Sequence, residues 1–309
     1  MLVESLLRAR TIRLVSQRTF ETTSYRVKFA DGTGQYQLAG IVDRPKTWTA
    51  GEEDGDGNAP VVVFSHCFTC SKDLKAAVRI CRALAKSGIA VLRFDMTGLG
   101  GSEGDFSQSN FSTNLADLAS AIRFAKSELG TVTGLVGHSF GGIASLVTAA
   151  RAHQASDHHL ADLADLSMVA TLAAPSDSAH LAVLLEKMNP AINTEGSGVV
   201  SIGGIQWTIT KQMLDDFRSH QVADVLPTIQ CPVLLLHSPV DETVAFDHAL
   251  RLMSLLSQSP SAEFYGSTRE AAKPVSLVSL HGADHLLASN PDDLVFVGEL
   301  ISSWCWRYR

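Results

Sequence analysis

Short apolar runs alternate with stretches of helical spacing through most of the chain, and this alternation restricts the fold more than any other feature. Val61–Phe64 is followed by helical spacing from Ser71 to Ser87. Ile89–Phe94 leads through a Gly-rich loop to a helical stretch from Asn114 to Glu128, and Thr133–Val136 leads to another from Gly141 to His153. Met168–Leu172 is the next run. After Gln230 the pattern resumes with Pro232–Leu236, a helix around Asp247–Leu256, the run Pro274–Leu280 and a final helix from Asp292 to Trp306. Runs that are apolar throughout suit strands buried on both faces, and strands separated by helices imply a mostly parallel sheet flanked by helices. The fold class is α/β. Residues 12–44 read differently, as alternating strand segments around Tyr25–Phe29 and Tyr36–Val42 joined by the turn signal Asp31-Gly32-Thr33-Gly34. Thr49–Ala59, rich in Gly, Asp and Glu, reads as a solvated loop.

The alternation lapses between Pro175 and Gln230, too far for an ordinary connection. An insertion is the better reading, so one domain over 1–309 is expected, with a small cap at about 175–230. Apolar residues make up 45% of the 309, enough for a large core without staples. The 25 basic against 32 acidic residues, a net charge of −7, exclude the basic footprint of a nucleic-acid binder and give no attraction to anionic lipid. No apolar run approaches the roughly 18–20 residues of a membrane span. Five cysteines are not a disulfide framework, and a reducing, cytoplasmic setting is the default reading. Arg8, Arg10, Arg13 and Arg18 against the single acid Glu4 would also suit an organellar transit peptide, but a helix leading into the first strand is preferred.

The strongest chemical signal is Gly137-His138-Ser139-Phe140-Gly141, between the apolar run ending at Val136 and a helical stretch. G-x-S-x-G in a strand–turn–helix setting raises the serine above the sheet on a tight turn, and the helix N-terminus behind it favours developing negative charge. Such a serine needs an acid and then a histidine further along the chain. Asp241 follows the end of the run Pro232–Leu236, at the carboxyl end of a strand where open α/β sheets place their sites. Glu242, Asp215 and Asp216 are its rivals. His285 sits in Gly282-Ala283-Asp284-His285 after the last apolar run, while His281, nearer the strand end, is expected to point into the sheet face. The oxyanion donors would be the backbone N–H of Phe140, next to the nucleophile, and that of Phe68 in the loop after Val61–Phe64. That loop also holds Cys67-x-x-Cys70 before a helix, the layout of a thiol-redox motif, and with His66 it offers three zinc ligands but no evident fourth. Structural cysteines beside the oxyanion site are preferred. Gly98–Gly104 fails the dinucleotide fingerprint because Glu103 occupies the third glycine's place and no helix follows at once.

Three strings, Phe64-Ser-His-Cys-Phe-Thr-Cys-Ser-Lys-Asp73, Arg93-Phe-Asp-Met-Thr-Gly-Leu-Gly-Gly-Ser-Glu-Gly-Asp-Phe106 and Gly137-His-Ser-Phe-Gly-Gly142, together resemble the α/β-hydrolase domain found alone or fused to an OsmC-type peroxidase domain. Asp241, the stretch ending at His285, Val200–Gly204 and Leu214–Asp216 fit the same family, over roughly residues 25–305. Cys67 stands where related loops carry glycine. With the chain ending at Arg309, no OsmC domain is expected to follow, and peroxidase activity is not carried over. The resemblance implies a serine hydrolase of the α/β-hydrolase fold, without naming a substrate. The expectation is therefore a carboxylic ester hydrolase with Ser139, Asp241 and His285 as its triad and no metal or organic cofactor. The alternatives are an amide or thioester hydrolase with the same triad, or a thiol-redox or binding protein on this scaffold. Trp207 and Met213, among the apolar residues of the cap, suggest contacts to a small-molecule ester with an apolar acyl group.

Overall fold

Each apolar run of the alternating stretch is a strand, and the strands lie side by side in one sheet. The computed structural model describes residues 19–49, 59–154, 163, 165–258 and 273–309. The basic stretch Met1–Arg18 and most of the Thr49–Ala59 segment lie outside the described residues. The elements of the chain before the insertion are β1 (Thr22–Ala30), β2 (Gln37–Pro45), β3 (Val61–Ser65), α1 (Lys75–Lys86), β4 (Ala90–Phe94), α2 (Phe111–Leu129), β5 (Val132–His138), α3 (Phe140–Ala152) and β6 (Met168–Leu172). The insertion contributes α4 (Ala179–Met188), α5 (Ala191–Glu195), β7 (Ser197–Ile202), β8 (Ile205–Thr210), α6 (Lys211–Ser219) and α7 (Val222–Val225). The sheet is then completed by β9 (Val233–His237), α8 (Asp247–Leu256), β10 (Val275–Ser279) and α9 (Pro291–Tyr308).

The sheet order is β1-β2-β4-β3-β5-β6-β9-β10. β1 and β2 pair antiparallel with each other, and β2 pairs antiparallel with β4. From β4 to β10 all pairings are parallel. The composition of the strands explains the division. β3, β4, β6 and β9 are buried at every residue, as strands covered on both faces must be. β1 instead alternates between exposed and more buried positions. One face of the sheet packs on α1 and α9 through residues such as Ile80, Leu84, Val297 and Ile301. The other packs on α2, α3 and α8. The mostly parallel sheet between helices, with an inserted cap, is the architecture expected from the sequence. In the cap, β7 and β8 form a separate hairpin with Val200 opposite Trp207. Among the described residues, no helix is long and apolar enough to cross a membrane.

Two helix starts differ from the sequence reading. α1 begins at Lys75, not Ser71, because the Lys72 N–H is bound by the Asp95 carboxylate at 2.6 Å and the chain there turns into a loop. α2 begins three residues before Asn114, because Asn110 and Thr113 form a reciprocal capping box.

Candidate active site

β5 sits near the middle of the sheet and delivers Ser139 at its carboxyl end. Ser139 has φ 52° and ψ −118°, a conformation that costs a non-glycine residue about 1–3 kcal/mol and persists only where its surroundings enforce it. The enforcement is visible. The Ser139 N–H donates to the Leu172 carbonyl at 2.7 Å, and its carbonyl accepts from Gly142 N–H at 2.8 Å. The flanking glycines follow from close packing: a Cβ on Gly137 would lie 2.2 Å from the Gly141 carbonyl oxygen, and one on Gly141 would lie 2.3 Å from that of Ser65.

The loops after β9 and β10 bring the other two residues to Ser139. His285 Nε2 and Ser139 Oγ are 3.0 Å apart, and His285 Nδ1 and Asp241 Oδ2 are 2.7 Å apart. With Nδ1–H donating to the carboxylate, Nε2 is free to accept the serine hydroxyl proton. Burial pushes the Asp241 carboxyl up, but the His285 hydrogen bond and the N–H groups of Val244 and Thr243 outweigh it and hold the pKa below the ordinary value. Glu242, one position on, is exposed. His281 is exposed as well, contrary to the expectation that it would point into the sheet face: the chain turns outward immediately after β10.

Sequence reasoning did not single out the residues that hold these loops. Burial pushes the Asp284 carboxyl up, but hydrogen bonds accepted from Ser289, Ala288 and Leu286 together outweigh it and bring its pKa down to about 2. His237 Nε2–H donates to the Val244 carbonyl at 2.8 Å and closes the loop that carries Asp241. His138 Nε2–H donates to the His285 carbonyl at 2.7 Å. The spacing D-H-x-x-x-S in 284–289 is the one local sign of the Asp284 turn. The histidine contacts join distant parts of the chain and leave no local signature.

The loop after β3 runs Ser65–Cys70 against this line. Among the described residues, neither the Phe68 N–H nor the Phe140 N–H has an acceptor in the protein. Phe140 opens α3, where the first N–H groups have no partner within the helix. Thr69 has φ 58° and directs a sharp turn. Cys67 and Cys70 are joined by a disulfide around that turn. Cys81, Cys231 and Cys305 are free and buried. His66 donates from Nδ1 to the Cys67 carbonyl at 2.8 Å and accepts at Nε2 from Met96 N–H at 3.2 Å, so its nitrogens and both sulfur atoms are engaged within the protein. Downstream, Lys72 Nζ meets the fully buried Asp95 at 2.7 Å. Asp95 also accepts from Gly101 N–H, so the glycine-rich stretch wraps a structural carboxylate.

An aromatic cluster joins this loop to the cap. The Phe68 ring centroid lies 5.6 Å from Phe140, 5.4 Å from Phe106 and 6.0 Å from Phe217 on α6. Trp207 on β8 meets Phe106 at 4.8 Å. Trp207 is partly buried with its indole N–H unpartnered. Met213, expected beside the substrate, is fully buried inside the cap because it lies on the inner side of α6 with Leu214 and Phe217. Beneath Ser139, His285 and Asp241, a cavity lined by Leu172, Leu236, Ser238, Asp241 and His285 has about 10 Å³, the room of about one water molecule.

Similarity to known proteins agrees with this geometry. Residues 58–192 match the family model described as serine aminopeptidase, S33. The chain is 35% identical to the esterase domain from a Rhodothermus marinus protein, with 93% of this chain and 99% of that one covered and a TM-score of 0.65. It shares its fold with Est1E from Butyrivibrio proteoclasticus in a structure with ferulic acid bound (20% identity, 91% and 99% covered, TM-score 0.69). It also shares it with mouse alpha/beta hydrolase domain-containing protein 10 (17% identity, 92% and 100% covered, TM-score 0.65). No curated protein sequence matches the chain.

Proposed function

The chain belongs to the α/β-hydrolase superfamily, and from that premise we propose that it cleaves a carboxylic ester through an acyl-enzyme on Ser139. The observation that carries the reading is the hydrogen-bonded line from Ser139 Oγ through His285 to Asp241, at 3.0 and 2.7 Å. In this reading His285 Nε2 takes the serine proton as Oγ attacks the carbonyl carbon. Asp241 holds the imidazole tautomer and stabilises the imidazolium that forms. The N–H groups of Phe68 and Phe140 bind the oxyanion, where losing one donor typically costs about 10²–10³ in rate. His285 then gives its proton to the leaving alkoxide. A water molecule, deprotonated by the same nitrogen, releases the acid.

The description of the Rhodothermus marinus relative as an esterase domain supports an ester substrate, while the match to the serine aminopeptidase family keeps an amide as the competing reading. Thioesters differ only in the leaving group. The apolar cap residues favour an apolar acyl group, with Trp207 as the residue in contact with it. The narrower kinship with hydrolases that accompany OsmC-type domains rests on the Phe64–Asp73 string and is part of this proposal.

The test is nitrophenyl ester and nitroanilide turnover, with fluorophosphonate labelling, by the parent and by Ser139→Ala. The parent should label and prefer esters. The variant should fold normally, fail to label and lose at least ~10³-fold in turnover, because the triad acts as a unit. Retention of a tenth of the activity would refute Ser139 as nucleophile, and preference for the anilide would favour the amide.

A further inference from the structure

The residue immediately before Ser139 has no part in the acyl-transfer scheme, yet it is bonded to the loop that carries the general base. His138 ends β5 and is 2% exposed. Its Nε2 lies 2.7 Å from the main-chain carbonyl oxygen of His285, and the two rings are 5.4 Å apart, inclined at 36°. A carbonyl can only accept, so the proton is on Nε2, and Nδ1 is left buried with no partner. The titratable groups facing His138 are His285 on the loop after β10, Asp241 on the loop after β9 and His66 on the loop after β3. Burial, and then the proximity of His285, hold its pKa down at about 4, so the donor is neutral near neutral pH.

The His285 imidazole must meet two partners at once, Ser139 on one nitrogen and Asp241 on the other. Asp284 fixes the chain after His285 through the N–H groups of residues 286, 288 and 289. His138 fixes the carbonyl of His285 itself. A displacement of about 1 Å in a reacting group can cost on the order of 10²-fold in rate, so the anchor of this pivot matters to catalysis even though it touches no substrate.

Resting on the serine-hydrolase reading, we propose that His138 is a positioning residue whose Nε2–H holds the His285 carbonyl and so fixes the imidazole against Ser139. Gln can place an amide N–H near the position of Nε2, whereas Asn reaches only to about that of Nδ1 and Leu supplies no donor.

The experiment compares the full-length parent with His138→Gln, His138→Asn and His138→Leu. It measures kcat and KM on a nitrophenyl ester, the rate of fluorophosphonate labelling of Ser139, and thermal unfolding. Leu and Asn should lower kcat about 10- to 100-fold with KM within about threefold, and labelling should slow in parallel. Gln should recover most of both. A general packing role would instead make the losses follow the unfolding temperature, with Gln no better than Asn. That result, or kcat within threefold of the parent in the Leu variant, would overturn the proposal. If the Leu variant does not fold, the two amide variants carry the comparison. A parent that neither labels nor turns over esters would fail the underlying reading instead, and that failure appears before any variant is made.

Discussion

His66, His138 and His237 each give one ring N–H to a main-chain carbonyl, at 2.8, 2.7 and 2.8 Å, and each stands behind a different loop of the site. All three have pKa values lowered by burial, His138 to about 4. The sign of the linkage follows. Above about pH 6.5 these histidines are neutral whether folded or not and do not oppose folding. As the pH falls below that value, the unfolded chain binds protons that the folded protein refuses, so stability declines until the folded pKa is reached. For His138 alone the decline amounts to about 3 kcal/mol by roughly pH 4. Urea unfolding should therefore give a lower free energy at pH 5 than at pH 7.5, with a shallower slope in His138→Gln; equal stability at the two values would refute the account. Asp241 acts at lower pH, since its lowered pKa adds stability above the ordinary carboxylate value that is lost only on further acidification. Ser139 and His285 could be picked out because a local motif and chain order distinguish them. Nothing in the sequence separates His138 from the other histidines, because its partner is 147 positions away.

The cap is fastened to the rest of the protein by contacts of two kinds. On one side α6 meets the start of α2 through polar bonds: Ser112 Oγ donates to Asp216 at 2.7 Å, and Asn110 Nδ2 donates to Gln212 at 2.9 Å. Beside them Phe217 packs its ring against Phe68 and Phe140. On the other side His180 of α4 meets His248 of α8 at 3.1 Å. The aromatic contacts run from Trp207 through Phe106 to Phe68, so a change at Trp207 should reach the loop that carries Phe68 as well as any acyl group under the cap. Trp207→Ala should alter the ratio of kcat/KM between short and medium nitrophenyl esters by about 10-fold or more, since a single methylene in an apolar pocket supplies at least about that discrimination, and more than it alters the rate on acetate. An unchanged ratio across the series would remove Trp207 from the selectivity determinants. The insertion was legible as a lapse in alternation, and α6 as a helical run. The burial of Met213 was not, because a Met on an amphipathic helix reads the same whether it faces a substrate or the helix's own core.

Across the whole molecule, buried charges tie the antiparallel edge of the sheet to the loop that carries Phe68. Arg93 on β4 donates to Asp43 of β2 at 2.8 Å and to the Lys72 carbonyl at 2.6 Å, while Lys72 reaches Asp95. These links hold the loop from its far side whatever the state of the sulfur atoms in its near side. The sequence favours a structural role for the Cys67-x-x-Cys70 pair, and its covalent form adds a thermodynamic asymmetry. A bond between residues three apart in sequence removes little freedom from the unfolded chain, about 2 kcal/mol against almost 5 for a loop of a hundred residues. In a chain of this length that corresponds to a change of only about 3 °C in Tm. The same bond encloses Phe68, whose N–H is a donor to the oxyanion in the mechanism proposed above. Treatment with dithiothreitol, which leaves two thiols and is itself oxidised to a cyclic disulfide, should therefore lower ester turnover about 10-fold or more while the melting curve barely moves. Turnover unchanged by reduction would show that the far-side charges are sufficient. Turnover that falls would give the protein a reversible off position, set by the electron supply around it and reached without unfolding.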